Sequence, residues 1–393
     1  MLVADAVGGV WDHALSLAAG LLRLAGARVL IVAVGPAPDA ARLAEAAAIP
    51  GLEHSVLDGR LEWMEGGRDW LDAWRGAVAA HAADWEADVV HVNQLGLAGV
   101  GHDPRLRDSA QRPAVVLGVH SDVTTWWLWV KDGGQGPPTL PDYLSWQRDL
   151  AREALLLADV VVCPSAFLAR ELVACHGIAR APVVIHNAVG EPVPVPAVPR
   201  EPGLAVVVGR AWDEAKNLAV VAGALRHCQE PWHVEVAGDV QEPGRAGSTS
   251  PPAAPGLFYH GFLDKGRLAH LYGRASICLA PSSYEPFGLA PAEAALAGCA
   301  VVANDLPSYR EVWGGAALYF RRNDPRDLAA VLDRLYGDAP AVARLATAAR
   351  RRVTRRYTHA RMVERYLRVY AAAVRGARAP LTDSRPAPNA QGE

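Results

Sequence analysis

The sequence predicts two α/β domains in series, each built on a mainly parallel sheet, and three observations carry that reading. Short β-branched runs alternate with longer Ala/Leu/Arg segments along the whole chain, and unbroken apolar runs of this kind mark strands covered on both faces. A proline-rich stretch without periodicity, GEPVPVPAVPREPG (190–203), interrupts the alternation once, as extended linker does. The length of 393 residues also exceeds what one ordinary core fills, at about 150 residues per domain.

Taken in order, the first strand is brief, Leu2 to Ala4 before DAVGG, which suggests that a few native residues are missing from the start. ARVLIVAVG (27–35), DVVHVN (88–93), PAVVLGVH (113–120), DVVVCPS (159–165) and VVIHN (183–187) complete an N-terminal domain over 1–190. After a linker over 191–203 the pattern restarts with LAVVVG (204–209), HVEVAG (233–238), SICLAP (276–281), AVVAND (300–305) and ALYF (317–320), giving a second domain over 204–355. The stretch 238–256, rich in Gly, Pro and Ser, reads as a mobile surface loop. A last helix over 356–378 carries Met362, Tyr366, Val369 and Tyr370 as one apolar stripe. The tail 379–393 is polar and proline-rich, and reads as disordered.

Composition excludes several classes. Hydrophobic residues make up 51%, charged residues 21% and the net charge is −3, the profile of a soluble globular protein and not of a nucleic-acid binder. The cysteines, 163, 175, 228, 278 and 299, are odd in number and lack a CxxC pair. They read as buried reduced thiols and point to the cytoplasm. No apolar run approaches the ~20 residues of a membrane span, and the N-terminus lacks the charge pattern of a secretion signal. The run RRRVTRR (350–356) reads first as a solvated helix face, with peripheral contact to anionic lipid at the inner membrane face as the second reading.

Ligands of open parallel sheets bind beyond the carboxyl ends of the strands, so residues following the strands are the site candidates. Gly8-Gly9 follows the first strand and leads into a helix from about Trp11, which lets backbone N–H groups approach an anion; ordinary turn geometry is the alternative. His120 stands at the end of PAVVLGVH, where it either faces a ligand or caps a loop. Arg210 follows LAVVVG, with Lys216 six residues on. Two cations at a strand end suit a diphosphate, and a surface salt bridge with Asp213 or Glu214 is the competing reading.

The stretch SSYEPFGLAPAEAALAG (282–298) also lies past a strand end. Pro291 and Gly298 suit the start and end of a short helix over 291–297, with Gly288 keeping the turn before it open. Glu293 would then lie in the first turn, where a carboxylate also simply favours the helix dipole. Glu285 and Glu293 are eight positions apart, about 12 Å on a continuous helix. Hydrolytic carboxylate pairs sit roughly 5 to 9.5 Å apart. Pro286 and Gly288 break any such helix, so the separation stays open; two carboxylates further apart can instead accept hydroxyls from different parts of one long polar ligand. The segment TTWWLWVKDGGQGPP (124–138) places Trp126 and Trp127 before a Gly/Pro loop, where they either fill a core or stack on a sugar.

Taken together, these motifs resemble the large retaining family of GT-B glycosyltransferases, family 4 (group 1), that includes sucrose, starch and glycogen synthases. The resemblance rests on GG (8–9), DVVHVN, GVHS with His120, ADVVVCPSAFL (158–168), VVIHNAV (183–189), VVVGRAWDEAKN (206–217), HGFLD (260–264) and, above all, the Glu-x7-Glu signature over 285–293. It implies two Rossmann-like domains facing each other across a cleft, with the C-terminal helix crossing back to the N-terminal one. It implies transfer of a hexose from a UDP- or GDP-sugar to a hydroxyl acceptor (a glycan, a lipid-linked sugar or a metabolite), with retention of configuration. Glu285 would hold donor-sugar hydroxyls, Glu293 the ribose, and Arg210 with Lys216 the diphosphate. The N–H groups of Phe287, Gly288 and Leu289, with Gly8 and Gly9, would complete the anion cradle. His120 would face the donor sugar, and Trp126 and Trp127 are acceptor candidates.

The chain contains no Asp-x-Asp, the motif with which many glycosyltransferases hold a metal, so no metal cofactor is expected. Pro286 stands where Gly is common, and LPSYREVWGG follows Asn304 in place of a Gly-Gly run; Glu311 within it reads as structural. A nucleotide-sugar epimerase on the same architecture and a non-catalytic sugar-nucleotide-binding subunit are the alternatives. A dinucleotide oxidoreductase is disfavoured because GGVWDHA (8–14) does not supply G-x-G-x-x-G.

Overall fold

The computed structural model describes residues 1–109, 111–190, 198–242 and 250–377. The tail read as disordered, the centre of the 238–256 loop and residues 191–197 of the linker lie outside the described residues.

Each half of the chain forms one parallel sheet. The first contains β1 (Leu2–Asp5), β2 (Val29–Gly35), β3 (Leu52–Asp58), β4 (Val89–Val92), β5 (Ala114–Gly118), β6 (Val160–Cys163) and β7 (Val183–Val184), in the order β3-β2-β1-β4-β5-β6-β7. The second contains β8 (Glu201–Val208), β9 (His233–Ala237), β10 (Leu257–Tyr259), β11 (Ala275–Ala280), β12 (Ala300–Asn304) and β13 (Leu318–Phe320), in the order β10-β9-β8-β11-β12-β13. Both sheets start in the middle, run to one edge and resume on the other side of their first strand. Strand order therefore reverses between β1 and β4 and again between β8 and β11, and a crevice opens at each reversal beyond the carboxyl ends.

The apolar runs are strands because both faces are covered: β2, β11 and β12 are buried at every position. Two strands had no such signal. β3, LEHSVLD, is an edge strand with no fully buried residue and with His54, Val56 and Asp58 exposed along one face, held by seven paired residues along β2, and β10 has only three residues. β8 begins at Glu201, inside the stretch read as linker. The described flanks of the 238–256 loop are tied down, Tyr259 Oη donating to the Pro252 carbonyl at 2.6 Å and Arg226 to that of Ala253 at 2.5 Å.

The first-half helices are α1 (Gly9–Ala25), α2 (Ala40–Ala47), α3 (Leu71–Asp84), α4 (Pro104–Arg107), α5 (Val123–Val130), α6 (Ser145–Leu157) and α7 (Ala166–His176). Those that follow are α8 (Leu218–Leu225), α9 (Lys265–Arg274), α10 (Leu289–Leu296), α11 (Pro307–Trp313), α12 (Pro325–Leu335), α13 (Ala339–Arg356) and α14 (His359–Ala377). The single last helix expected from 356 is thus a new helix from His359, after a break at Tyr357 and Thr358. Met362 and Tyr366 of its stripe are buried, with Val369 and Tyr370 partly so, in one core with α1, β1 and β2. Gly20 makes this contact possible, because a Cβ there would lie 2.3 Å from Val363 Cγ2. None of the described helices is long and apolar enough to cross a membrane.

Candidate active site

On the N-terminal side, α1 starts at Gly9, two residues earlier than the sequence suggested, with Gly8 as its extended N-cap. Its first N–H groups have no intrahelical partner and point past the end of β1. Asp5 ends β1, accepting from the Val7 N–H at 3.0 Å and from Gln94 Nε2 at 3.1 Å. Burial raises its pKa, opposed in part by Arg210 of the other half.

His120 follows β5. Asn93 donates through Nδ2 to the Val3 carbonyl at 2.9 Å, which turns its Oδ1 towards His120 Nε2 at 3.0 Å. His120 Nε2–H is therefore the donor and Nδ1 is left as an acceptor. Its ring packs edge-on against buried His13 at 4.7 Å. Tyr366 Oη lies 3.3 Å from His13 Nε2 and Tyr370 Oη 2.7 Å from His91 Nδ1, so α14 backs this cluster. Burial pushes the His120 pKa down to about 4, and the imidazole is neutral at pH 7. Among the described residues, no group of three His, Cys, Asp or Glu side chains is placed to hold a metal ion.

On the other side, β8 delivers Arg210 and Lys216. Arg210 Nη2 reaches Asp213 Oδ2 at 2.7 Å and its guanidinium stacks over Trp212, so the ion pair considered as the plainer reading is present. Lys216 Nζ instead reaches across to Glu285 Oε2 at 2.7 Å, with both side chains less than a fifth exposed. The lysine lies along the backbone of Gly209, where a Cβ would come within 3.0 Å of Lys216 Cε.

The loop after β11 is fixed from beneath: Asn304 Nδ2 donates to the carbonyls of Pro281 and Ser282 at 3.3 and 2.9 Å. Phe287 is buried and Gly288 adopts φ +87°, a conformation costly for other residues. This turn caps α10, which begins at Leu289 and not at 291. Glu293 consequently falls in the second turn. Burial, with the nearby Asp12 of α1, pushes its pKa up to about 7. The two helix starts oppose each other across the cleft, since a Cβ on Gly9 would touch Leu289 Cδ1 at 3.5 Å.

Polar contacts join the two walls. Asp122 caps α5, accepting from the Thr124 and Thr125 N–H groups at 2.8 and 3.2 Å and from Thr125 Oγ1 at 2.8 Å. Tyr284 Oη then meets Thr125 Oγ1 at 2.8 Å, and Ser121 Oγ donates to it at 3.3 Å. Trp126 Nε1 donates to Asp213 at 3.3 Å, the carboxylate that also holds Arg210. Trp127 turns away to Thr139 on its own loop. Glu311 accepts from the Ala166 and Phe167 N–H groups at 2.8 and 2.9 Å, capping α7 from the other half, and meets His186 Nε2 at 3.2 Å.

The structure thus brings Gly9 to Leu289, Lys216 to Glu285, and Trp126 to the partner of Arg210. Sequence reasoning missed Asp5, Asn93, Asp12 and Tyr284 as parts of this constellation, and offered Asp213 only as a surface partner of the cations. Asn93 ends DVVHVN and was findable by the strand-end rule itself, and Tyr284 lies within the quoted signature; Asp12 acts only through the juxtaposition of two helices.

Two doubly wound sheets with cations, a carboxylate and opposed helix starts at their carboxyl ends define the GT-B class of glycosyltransferases, and comparison with known proteins agrees. A family model described as Glycosyltransferase Family 4 matches residues 7–190, and one described as Glycosyl transferases group 1 matches 202–338. The chain belongs to this glycosyltransferase family. Glycogen synthase of Mycobacterium tuberculosis is 36% identical over 122 residues, 30% of this chain and 30% of that protein. The serotype-specific mannosyltransferase WbdA of Escherichia coli is 33% identical over 82 residues, 21% of this chain and 10% of that protein. The matched stretches therefore span a third or less of these relatives. Among solved structures, sucrose-phosphate synthase from Thermosynechococcus elongatus superposes with a TM-score of 0.72 at 19% identity, covering 95% of this chain and 99% of that one. Anabaena HepE in complex with UDP-glucose gives 0.70 at 16% identity, covering 95% and 100%.

Proposed function

We propose that the protein transfers a hexose from a UDP- or GDP-sugar to a hydroxyl of a glycan, a lipid-linked sugar or a small metabolite, with retention and without a metal. The observation that carries this reading is the Lys216–Glu285 pair at 2.7 Å, set at the end of β8 beside Arg210 and facing the opposed starts of α1 and α10. The comparisons support a nucleotide-sugar donor, since the HepE structures hold UDP and UDP-glucose.

In the proposed reaction the bond between the anomeric carbon and the diphosphate oxygen breaks, and its electron pair leaves with the phosphate. Arg210, Lys216 and the helix-start N–H groups meet that growing charge, so they bind the transition state more tightly than the ground state. Fixed cations take the part a metal plays elsewhere. The acceptor oxygen forms the new bond and its proton passes to the leaving diphosphate. Glu285, oriented by Lys216, accepts donor-sugar hydroxyls, and His120 offers its neutral Nδ1 to another. Glu293 accepts the ribose hydroxyls. Trp126 and Trp127 lie on the acceptor side, with Trp126 additionally steadying Asp213. The cytoplasm, where nucleotide sugars are made, is the proposed location.

The test is a thermal-shift panel of UDP-, GDP- and ADP-sugars with and without EDTA. Stabilisation by one nucleotide class, indifferent to EDTA, is expected. Dependence on a divalent metal would contradict the reading, and an acceptor-free C2 epimer from UDP-GlcNAc would replace it with epimerisation.

A further inference from the structure

The corner where α13 meets α14 plays no part in the transfer chemistry. Residues 339–377 contain ten arginines and a single acid, Glu364, in a chain whose net charge is −3. The break at Tyr357 and Thr358 folds the two helices so that these side chains converge. A cavity of ≈ 480 Å³ is lined by Arg351, Arg352, Arg355, Arg356 and Arg361, with Gly315 among its other walls. A second, of ≈ 270 Å³, shares Arg356 and Arg361 and adds Arg365 and Arg368.

Some of these arginines have structural work. Arg352 donates to the Val312 carbonyl and, at 2.8 Å, to that of Glu311; Arg365 donates to Val184 at 3.2 Å; and Arg368 pairs with Glu364. Arg351, Arg355, Arg356 and Arg361 are exposed and make no ion pair with any acid of the described residues. A solvated helix face would let such groups diverge, whereas here four guanidinium groups from two helices surround one hollow. Their mutual repulsion is unfavourable unless an anion meets them. The dipole of α13 accounts for Arg355 and Arg356 in its last turn. It does not account for Arg361 in the first turn of α14, where the helix start already favours an anion. The hollow has room, since a Cβ on Gly315 would meet nothing within 4 Å.

We propose that this corner is a second binding site, for a phosphate-bearing anion with at least two negative charges. Guanidinium groups converging from several directions suit phosphate oxygens. The site adjoins the passage between the two halves: the Val189 N–H donates to the Tyr357 carbonyl at 3.0 Å, and Arg352 holds the backbone of Glu311, which caps α7.

The experiment measures calorimetric binding of inorganic pyrophosphate and co-sedimentation with phosphatidylcholine vesicles containing phosphatidylglycerol. All proteins carry Lys216→Ala so that the cleft competes less for the probe. Saturable binding is expected, weakened at least about tenfold by Arg355→Gln/Arg361→Gln, with the thermal midpoint unchanged. Arg351→Gln/Arg361→Gln serves if that pair fails to fold. Binding of pyrophosphate identifies a soluble phosphate ligand, and binding of vesicles alone identifies a lipid headgroup; either supports the site. Absence of both, or binding by the arginine variant as tight as that of the Lys216→Ala parent, would overturn it.

Discussion

Replacing Glu293 with Gln tests the ribose-binding assignment through pH. Burial and the neighbouring Asp12 hold the Glu293 carboxyl near a pKa of about 7, against an ordinary value of 4.5. If the ionised form accepts the ribose hydroxyls, nucleotide affinity rises with pH. With a pKa near 7, roughly a tenth of the protein carries the carboxylate at pH 6 and roughly nine tenths at pH 8, so Kd falls about tenfold between them, or ~1.4 kcal/mol. The phosphates of the ligand titrate in the same range, which is why the comparison with Glu293→Gln is needed. An uncharged amide accepts at every pH, so this variant binds more weakly at pH 8 and lacks the carboxylate component of the slope. Linkage gives stability the opposite sign. A carboxyl whose pKa is raised on folding stabilises the fold below its unfolded pKa, and that contribution is lost as pH rises towards 7. Glu293→Gln should therefore raise the thermal midpoint at pH 8 and leave it unchanged near pH 4. The assay is tryptophan-fluorescence titration with the nucleotide selected by thermal shift, from pH 6 to 8.5. Parallel profiles for the two proteins would refute the assignment.

Further expectations concern charge, packing and the join between the halves. Arg210→Ala or Lys216→Ala should lower kcat/KM by about 10²- to 10³-fold, the scale seen when one stabilising donor is removed from a developing anion; Glu285→Ala should abolish measurable transfer, and retained activity in initial-rate assays would contradict the assigned site. Gly20→Ala forces a methyl onto Val363 Cγ2, 2.3 Å away, and should cost about 1–3 kcal/mol in denaturant unfolding. Adding Val363→Ala should recover much of that loss, and failure to do so would show that α14 does not press on α1 there. Glu311→Gln removes the charge capping α7 and turns one amide end towards an N–H donor, a loss of about 1–3 kcal/mol. The two backbone N–H bonds and His186 outweigh burial and hold the Glu311 pKa below the usual range. Its stabilisation should thus be complete above the ordinary Glu pKa and fade as acid titrates it, measurable as a narrowing gap between variant and wild-type midpoints on acidification.

The local sequence determined the strands and their direction. Runs such as VLIVAVG have no polar face and must be covered on both sides, which requires parallel strands with helices between them; hence the sheets were legible while β3, wet on one face, and the three-residue β10 were not. Local sequence also marked the site candidates, because in such sheets whatever follows a strand end lies at the crevice. Helix starts were less legible: Gly288 accepts a left-handed backbone and lets α10 begin at Leu289, whereas Pro291 suggested a later start. Partner choice was a matter for the tertiary structure. Asp213 and Glu214 were both within reach of Arg210 and Lys216 along the chain, yet Lys216 pairs with Glu285, 69 residues away, because β8 and β11 are neighbours. Glu293 meets Asp12 only because two helix starts oppose each other, and Arg351, Arg352, Arg355, Arg356 and Arg361 surround a hollow only because the chain breaks at Tyr357. Hydrophobic periodicity is a property of neighbours along the chain, while charge pairing and desolvation depend on neighbours in space.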